Sequence, residues 1–316
     1  MNTKYAIAIH GGAGDITSLS NEQKRKYQSV LLKSLEKGKV ILERKGSSID
    51  SIVESIKVLE DSPLFNAGRG SVFNSNGINE MDAAIMEGLN LNIGSVTGVN
   101  HVKNPIVAAK VILDDPKLLM LTGKSAEDLV REQGVKIENT SYFHTKFRYN
   151  QFLMAQGTDE SFLDHDIFFE EKLNIKDKKY GTVGAVAIDY LGNIAAGTST
   201  GGLTNKKSGR IGDSAIPGAG TFASNDTCGI SCTGQGEFFL RLIAGHEISA
   251  MIKYNKFNIA EALDNFINNQ LNRFNAKGGI IAVDNKYNIS CNFNTLAMFR
   301  GFAKYNGLPK IEIFKS

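Results

Sequence analysis

Residues 182–189, Thr-Val-Gly-Ala-Val-Ala-Ile-Asp, constrain the fold of this chain more than any other stretch. Small and β-branched residues run through it without a break until the turn at 190–193, which predicts a strand. A continuous apolar run is typical of a strand that is covered on both faces. We therefore expect this strand to lie inside a sheet with packed layers above and below it.

Thr182 opens this strand, directly after Gly181 and the charged run 176–179. A threonine suits the start of a strand because it is β-branched, and this stretch alone requires no further explanation. The next predicted strand, over 193–202, favours a functional role for Thr182 over a purely structural one. Its sequence Asn-Ile-Ala-Ala-Gly-Thr-Ser-Thr-Gly-Gly brings more hydroxyls and glycines to the neighbouring position in the sheet. The two strands together indicate a functional site at their adjacent ends.

Seven short motifs follow one another in a fixed order along the chain. They are His10-Gly11-Gly12-Ala13-Gly14, Leu64-Phe65-Asn66-Ala67-Gly68, Gly181-Thr182-Val183-Gly184, Thr198-Ser199-Thr200-Gly201-Gly202, Gly209-Arg210-Ile211-Gly212-Asp213-Ser214, Cys232-Thr233-Gly234-Gln235-Gly236-Glu237 and Phe293-Asn294-Thr295. Together they resemble the plant-type L-asparaginase and isoaspartyl peptidase (β-aspartyl-peptidase) family of N-terminal-nucleophile (Ntn) hydrolases. One such motif is a weak signal, but this many in one order are specific.

The resemblance implies an α/β (α+β) fold, a four-layer αββα sandwich of the Ntn-hydrolase type. Predicted strands that lie between helical segments at both ends agree with two sheets packed face to face and covered by helices. The resemblance also implies one domain over residues 1–316, which cleaves itself into an α subunit (1–181) and a β subunit (182–316). A chain of 316 residues that is 42% hydrophobic is long enough to bury a large core.

The same resemblance implies that Thr182 is the nucleophile and that cleavage between Gly181 and Thr182 frees its α-amino group to act as the base. The pKa of an α-amino group is ordinarily about 7.7–8.0, against about 10.4 for the lysine side chain. The group is therefore partly neutral near pH 7 and needs no histidine beside it. Thr233 and Gly234 match the oxyanion pair of the family, and Thr200 and Asn66 match positions beside the nucleophile.

Substrate anchors are implied for Arg210 and Asp213, which would hold an α-carboxylate and an α-ammonium. Thr233, Gly234 and Gly236 would complete the substrate-binding residues. Spacing alone leaves two other interpretations open. Arg210 and Asp213 are also compatible with an ordinary surface pair, and residues 232–237 with a plain glycine turn between a strand and a helix.

The implied function is that of an autoprocessing threonine amidohydrolase, which hydrolyses β-aspartyl dipeptides and L-asparagine and releases L-aspartate. The alternative within this class is glycosylasparaginase-like hydrolysis of N-linked sugar-asparagine. Such enzymes are secreted or lysosomal, whereas the apolar run 6–9 is too short for a signal-peptide core. A nucleotide-binding function is the other class. It would need the G-x-G-x-x-A run at 218–223 to follow a strand and open a helix, but this run follows Pro217.

No cofactor is implied for the chemistry, but the resemblance implies a structural sodium ion held by backbone carbonyls. The matching residues are Leu59, Glu60, Ser62, Phe65, Ala67 and Arg69. Arg69 departs from the aliphatic residue expected there. The implied partners are a small-molecule substrate and a second copy of the processed chain, in a dimer of αβ heterodimers.

Charge and cysteine content indicate a cytoplasmic protein without nucleic-acid or membrane partners. The chain has 36 basic and 33 acidic residues, a net charge of +3, which is too small an excess to indicate such partners. Its three cysteines, Cys228, Cys232 and Cys291, are predicted to be reduced. The first two are predicted to lie on one strand face as small apolar residues rather than as zinc ligands.

The remaining pattern predicts a strand over 4–9 that ends in a tight glycine turn. A helix capped by Ser20 or Asn21 follows to about Arg44, and a second helix begins at Ser47 and ends before Pro63. Residues 237–254 are predicted as one continuous helix, and residues 135–179 as a mobile connector.

Overall fold

Two sheets pack face to face in the computed structural model, which describes residues 4–156 and 181–315. Their strands are β1 (Ala6–Gly14), β2 (Met81–Glu87), β3 (Ile93–Val99), β4 (Met120–Thr122), β5 (Val183–Ile188), β6 (Ile194–Thr200), β7 (Thr221–Ala223), β8 (Cys228–Gly234), β9 (Gly278–Asp284), β10 (Ile289–Phe293), β11 (Ala297–Lys304) and β12 (Lys310–Phe314). The larger sheet has the order β12-β11-β1-β5-β6-β2-β3-β4 and the smaller one β10-β9-β8-β7. Of these pairs, only β3 and β4 run parallel.

Helices cover the outer face of each sheet. They are α1 (Asn21–Glu43), α2 (Ser48–Glu60), α3 (Pro105–Asp114), α4 (Gly123–Glu132), α5 (Lys146–Ala155), α6 (Gly236–Arg241), α7 (Ala244–Lys253) and α8 (Ile259–Asp264). Helices α1 to α4 pack on the larger sheet, and α7 and α8 pack on the smaller one. The layer order is αββα, as predicted. None of the helices within 4–156 and 181–315 is long and apolar enough to cross a membrane.

Strand β5 lies between β1 and β6, near the middle of the larger sheet. Val183, Ala185 and Ala187 point into the core shared with the helices. Val186 and Ile188 point into the core between the two sheets. All six residues of β5 are buried, which confirms the prediction that this strand is covered on both faces.

Both predicted helix starts are confirmed. Ser20 caps α1 in a reciprocal capping box with Gln23, so two backbone N–H groups that would lack partners are satisfied. The Ser47 hydroxyl accepts a hydrogen bond from the Asp50 N–H at the start of α2. That helix ends at Glu60, before Pro63.

Three local predictions are wrong, and the first two concern β1 and the helix predicted over 237–254. Strand β1 does not stop at a tight turn but continues to Gly14, with a register shift between His10 and Ala13. The predicted helix 237–254 is broken at Ile243, whose φ is 46°. The break has a tertiary cause, because the N–H groups of Gly245 and His246 bond to carbonyls of the 218–219 loop instead of continuing α6.

The third wrong prediction concerns residues 135–179, for which the sequence predicts a mobile connector. Helix α5 occupies residues 146–155 of this segment, and it buries Arg148 and Phe152. The Arg148 Nε donates to the Gly70 carbonyl at 2.7 Å, so the helix is tied to the body of the protein. The part of the predicted connector from 157 to 179 lies outside the described residues.

A buried polar network crosses between the two sheets beside β5. The His10 Nε2 lies 2.9 Å from the Ser231 Oγ, which in turn lies 2.7 Å from the Thr198 Oγ1. Burial lowers the pKa of His10 to about 3, so its imidazole is neutral. A Cβ at Gly184 would lie 2.0 Å from the Ser231 Oγ. Position 184, two residues after Thr182, therefore requires glycine, because any side chain there would collide with this network.

Candidate active site

One small pocket gathers most of the predicted site residues at the end of the two-sheet sandwich. Its lining is Gly181, Thr182, Thr200, Gly202, Leu203, Arg210, Gly212, Asp213, Ser214, Thr233, Gly234 and Gly236. Hydroxyls come from Thr182 just before β5, from the end of β6 and from the end of β8, and the loop after β6 supplies the charged groups and the Ser214 hydroxyl. Residues from four of the sequence motifs therefore meet at one place.

The hydroxyl of Thr182 is oriented by β6. Val183 pairs with Ser199, so the antiparallel register brings Thr182 opposite Thr200. The Thr182 Oγ1 donates a hydrogen bond of 3.0 Å to the Thr200 Oγ1. The Gly202 N–H donates to that same oxygen, also at 3.0 Å, which holds the Thr200 hydroxyl in place.

Asn66 does not bond Thr182 or Thr200 directly but contacts the loop that bonds Thr200. Its Nδ2 donates to the Gly202 carbonyl at 2.7 Å, and its Oδ1 accepts from the Val72 N–H at 3.0 Å. The side chain thus supports the loop at Gly202, which in turn bonds Thr200. In the described arrangement Asn66 acts on the pocket through this loop.

Thr233 and Gly234 end β8 at the pocket. Thr233 is 1% exposed, and its Oγ1 has no hydrogen-bond partner within the described part of the chain. A buried hydroxyl without a partner is costly and is usually satisfied by a ligand or water. Gly234 has a φ of +144°, and a Cβ there would lie 2.4 Å from the Lys277 carbonyl oxygen. The backbone at this position therefore requires glycine.

Arg210 and Asp213 are packed among glycines rather than paired on the surface. A Cβ at Gly236 would lie 2.6 Å from the Asp213 Oδ1, and a Cβ at Gly212 would lie 2.9 Å from the Arg210 Nη1. Asp213 is 5% exposed, and its Oδ2 has no hydrogen-bond partner among the residues described. The surface-pair interpretation is therefore incompatible with the burial of Asp213.

Burial raises the pKa of the Asp213 carboxyl to about 7, while the nearby positive charge of Arg210 opposes the rise and the Glu237 carboxylate adds to it. Asp213 therefore gains or loses its proton near neutral pH. A ligand that brings a positive charge to this carboxyl would favour the ionised form.

Two glycines in the loop between α2 and Gly70 lie close to backbone carbonyl oxygens that the family resemblance implies as cation ligands. A Cβ at Gly68 would lie 2.5 Å from the Glu60 carbonyl oxygen, and a Cβ at Gly70 would lie 2.0 Å from that of Phe65. The two glycines let the chain pass close to these oxygens, and the Phe65 oxygen also accepts a hydrogen bond from the Ala67 N–H at 3.0 Å. The Arg69 guanidinium stacks over the Tyr142 ring, 5.4 Å from its centroid, so the bulky side chain points out of the loop.

Two residues outside the implied site do not line the pocket but lie against residues that do, namely Arg210 and Gly202. Glu237 bonds the Arg210 guanidinium; the sequence signal for it was its place at the end of the 232–237 motif. Lys206 is 1% exposed, and its Nζ bonds the Glu80 carbonyl at 2.9 Å and lies 3.9 Å from the Asp82 Oδ2. No local pattern in the sequence singles out Lys206, because both groups that it meets are distant in sequence. Asp82 lies in β2, and Glu80 directly precedes that strand.

Other sequence features stay outside the site. Cys228 and Cys232 are buried on β8 as free thiols, as predicted. Within 4–156 and 181–315, no cluster of histidine, cysteine and carboxylate side chains could hold a metal ion. The run 218–223 leads into β7 rather than into a helix, so it lacks the geometry of a dinucleotide-binding turn.

The sequence is similar to that of known proteins over nearly its whole length. A family model described as Asparaginase matches residues 3–313. An isoaspartyl peptidase of Salmonella typhimurium is 40% identical over 314 residues, covering 99% of each chain. An isoaspartyl peptidase of Escherichia coli is 39% identical, covering 99% of this chain and 97% of its own. A plant-type L-asparaginase of Pyrococcus horikoshii is 38% identical, covering 97% and 98%.

The raised pKa of Asp213 predicts a pH-dependent affinity for an α-amino acid. Below about pH 7 the carboxyl holds a proton and must lose it to accept an ammonium, so the affinity for L-aspartate should fall by up to about tenfold per pH unit. Calorimetric titration between about pH 5.5 and 8.5 measures this. Succinate, which lacks the ammonium, is the control ligand. The same pH dependence for both ligands would contradict the assignment of Asp213.

Proposed function

This chain belongs to the asparaginase family, and we propose that it is an autoprocessing threonine amidohydrolase, which hydrolyses β-aspartyl (isoaspartyl) dipeptides and L-asparagine and releases L-aspartate. One observation carries the proposal. The Thr182 hydroxyl shares a pocket with two buried polar atoms that have no partner in the described residues, the Thr233 Oγ1 and the Asp213 Oδ2. A nucleophile, an oxyanion donor and an ammonium acceptor are thus available to one ligand.

We propose that the chain first cleaves itself. The Thr182 Oγ1 attacks the carbonyl carbon of Gly181, and the C–N bond to Thr182 breaks as an ester forms and the nitrogen takes up a proton. Water then hydrolyses the ester, which leaves the Gly181 carboxylate and restores the Thr182 hydroxyl. The products are an α subunit over 1–181 and a β subunit over 182–316, with a free α-amino group on Thr182.

In the mature enzyme this α-amino group accepts the proton of the Thr182 hydroxyl, which then attacks the side-chain amide or β-peptide carbonyl of the substrate. Thr200 orients the hydroxyl because its Oγ1 accepts the hydrogen bond from the Thr182 Oγ1. The Thr233 hydroxyl and the Gly234 N–H would stabilise the oxyanion, a contribution of about 2.7–4 kcal/mol per donor. Ammonia or the amino acid leaves, and water releases L-aspartate from the ester.

The anchors match an α-amino acid that is free at both its carboxylate and its ammonium. Arg210 would bind the α-carboxylate and Asp213 the α-ammonium. The relatives carry the names isoaspartyl peptidase and L-asparaginase, which favours this activity over glycosylasparaginase-like hydrolysis.

Substitutions at Thr182 test the nucleophile. Thr182→Ala removes the attacking oxygen and should give an intact chain without hydrolytic activity, whereas Thr182→Ser keeps a hydroxyl and should still cleave, more slowly. Denaturing gels and ammonia release from L-asparagine measure both. Thr227→Ala, which removes another buried hydroxyl, is the control and should cleave normally. Activity in Thr182→Ala would falsify the mechanism.

We propose that the two halves stay together after cleavage and pair as a dimer of αβ heterodimers. Strand β1 would belong to one half and its neighbours β5 and β11 to the other, so separating the halves would break the middle of the larger sheet. Sedimentation at micromolar concentration should show the four-chain particle. A lone αβ unit would contradict the dimer.

We also propose that the carbonyls of Leu59, Glu60, Ser62, Phe65, Ala67 and Arg69 hold a structural sodium ion. A bound ion stabilises the folded state by mass action, so the melting temperature should rise by a few degrees in NaCl relative to choline chloride at equal ionic strength. Gly68→Ala would place a Cβ against the Glu60 oxygen and should abolish the difference. Equal melting temperatures of the wild-type protein in both salts would contradict the site.

A further inference from the structure

We propose that Glu237 is a positioning residue for the substrate anchor. It holds the Arg210 guanidinium so that the Nη1/Nη2 end faces the pocket, and it thereby sets the affinity for substrates with an α-carboxylate. The inference rests on the proposed function, because it takes Arg210 as the group that binds this carboxylate.

The contacts of Arg210 define its orientation. Its Nε and Nη2 both donate to the Glu237 Oε1, at 2.9 and 2.6 Å. Two bonds from one edge of a planar guanidinium fix its rotation as well as its position, and the opposite charges strengthen them. Within the described residues, Nη1 makes no hydrogen bond with a protein group.

The opposite end of the guanidinium lies in the pocket. A Cβ at Gly212 would lie 2.9 Å from Nη1 and 3.2 Å from Nη2, and a Cβ at Gly202 would lie 3.3 Å from Nη1. Both glycines line the pocket, whereas Glu237 does not. The Nη1/Nη2 end is therefore the part of Arg210 that a ligand can reach.

This placement decides between two roles for Glu237. In the first role, the Glu237 carboxylate would occupy the place of the ligand carboxylate on Arg210, and it would have to move away before the ligand could bind. Glu237 instead holds the Nε side from outside the pocket, with its side chain 53% exposed, so a ligand carboxylate need not displace it. The Asp213 carboxyl also lies within the electrostatic influence of both Arg210 and Glu237, an arrangement that favours a zwitterion over a simple anion.

Loss of this support should weaken binding without changing the chemistry. A free arginine side chain samples many rotamers, and a ligand that must order it binds more weakly. In the proposed function Arg210 binds the α-carboxylate rather than the amide that is hydrolysed, so kcat should change little. The effect should appear in KM and only for substrates that carry an α-carboxylate.

Glu237→Ala should raise KM for L-asparagine about tenfold while kcat stays within about twofold. Glu237→Gln keeps an acceptor oxygen and should raise KM less. Glu312→Ala is the matched control, because Glu312 also pairs with an arginine, Arg300, at 2.6 Å and is 41% exposed. It should leave KM unchanged.

The second readout is 3-aminopropanamide, the asparagine analogue without the α-carboxylate. Its kcat/KM should be the same in Glu237→Ala and in the wild-type protein. A cleaved Glu237→Ala variant with an unchanged or lower KM for L-asparagine, or an equal loss with both substrates, would overturn the inference and leave the proposed function intact. A wild-type protein that neither cleaves nor hydrolyses L-asparagine would overturn the proposed function itself.

Discussion

The pairing of β5 with β6 is the constraint on which the site depends. It brings Thr182 opposite Thr200 and holds the two hydroxyls at hydrogen-bond distance. A slip of one residue would turn every side chain of β5 to the other face, and both cores would lose their apolar contacts. The burial of Val183 and Ile188 on opposite faces therefore fixes the position of Thr182 as strictly as any contact within the pocket.

The pocket collects polar groups that the fold leaves unsatisfied. Thr233 and Asp213 are buried with unpaired oxygens among the described residues, and burial raises the pKa of Asp213 to about 7. These groups cost stability in the free protein. A zwitterionic ligand with an amide carbonyl would reduce that cost by supplying an ammonium to Asp213 and a carbonyl oxygen to Thr233.

Local patterns are sufficient where the cause of a structure is local. The apolar run of β5 and the cap at Ser20 are predictable because neighbouring residues decide them. The break at Ile243 is not, because its left-handed backbone depends on bonds from α7 to the 218–219 loop. Glu237 stands in a sequence motif that implies no role for it, since spacing along the chain does not reveal that its carboxylate meets Arg210. Long-range contacts of this kind have no sequence period.

The position of the proposed cleavage tests the central claim most directly, because the proposed hydrolysis requires a free α-amino group on Thr182 as its base. Amino-terminal sequencing and intact mass measurement of the purified wild-type protein should show two fragments, the smaller of which begins at Thr182. A second fragment that begins at another residue, or an uncleaved chain that still hydrolyses L-asparagine, would contradict the account.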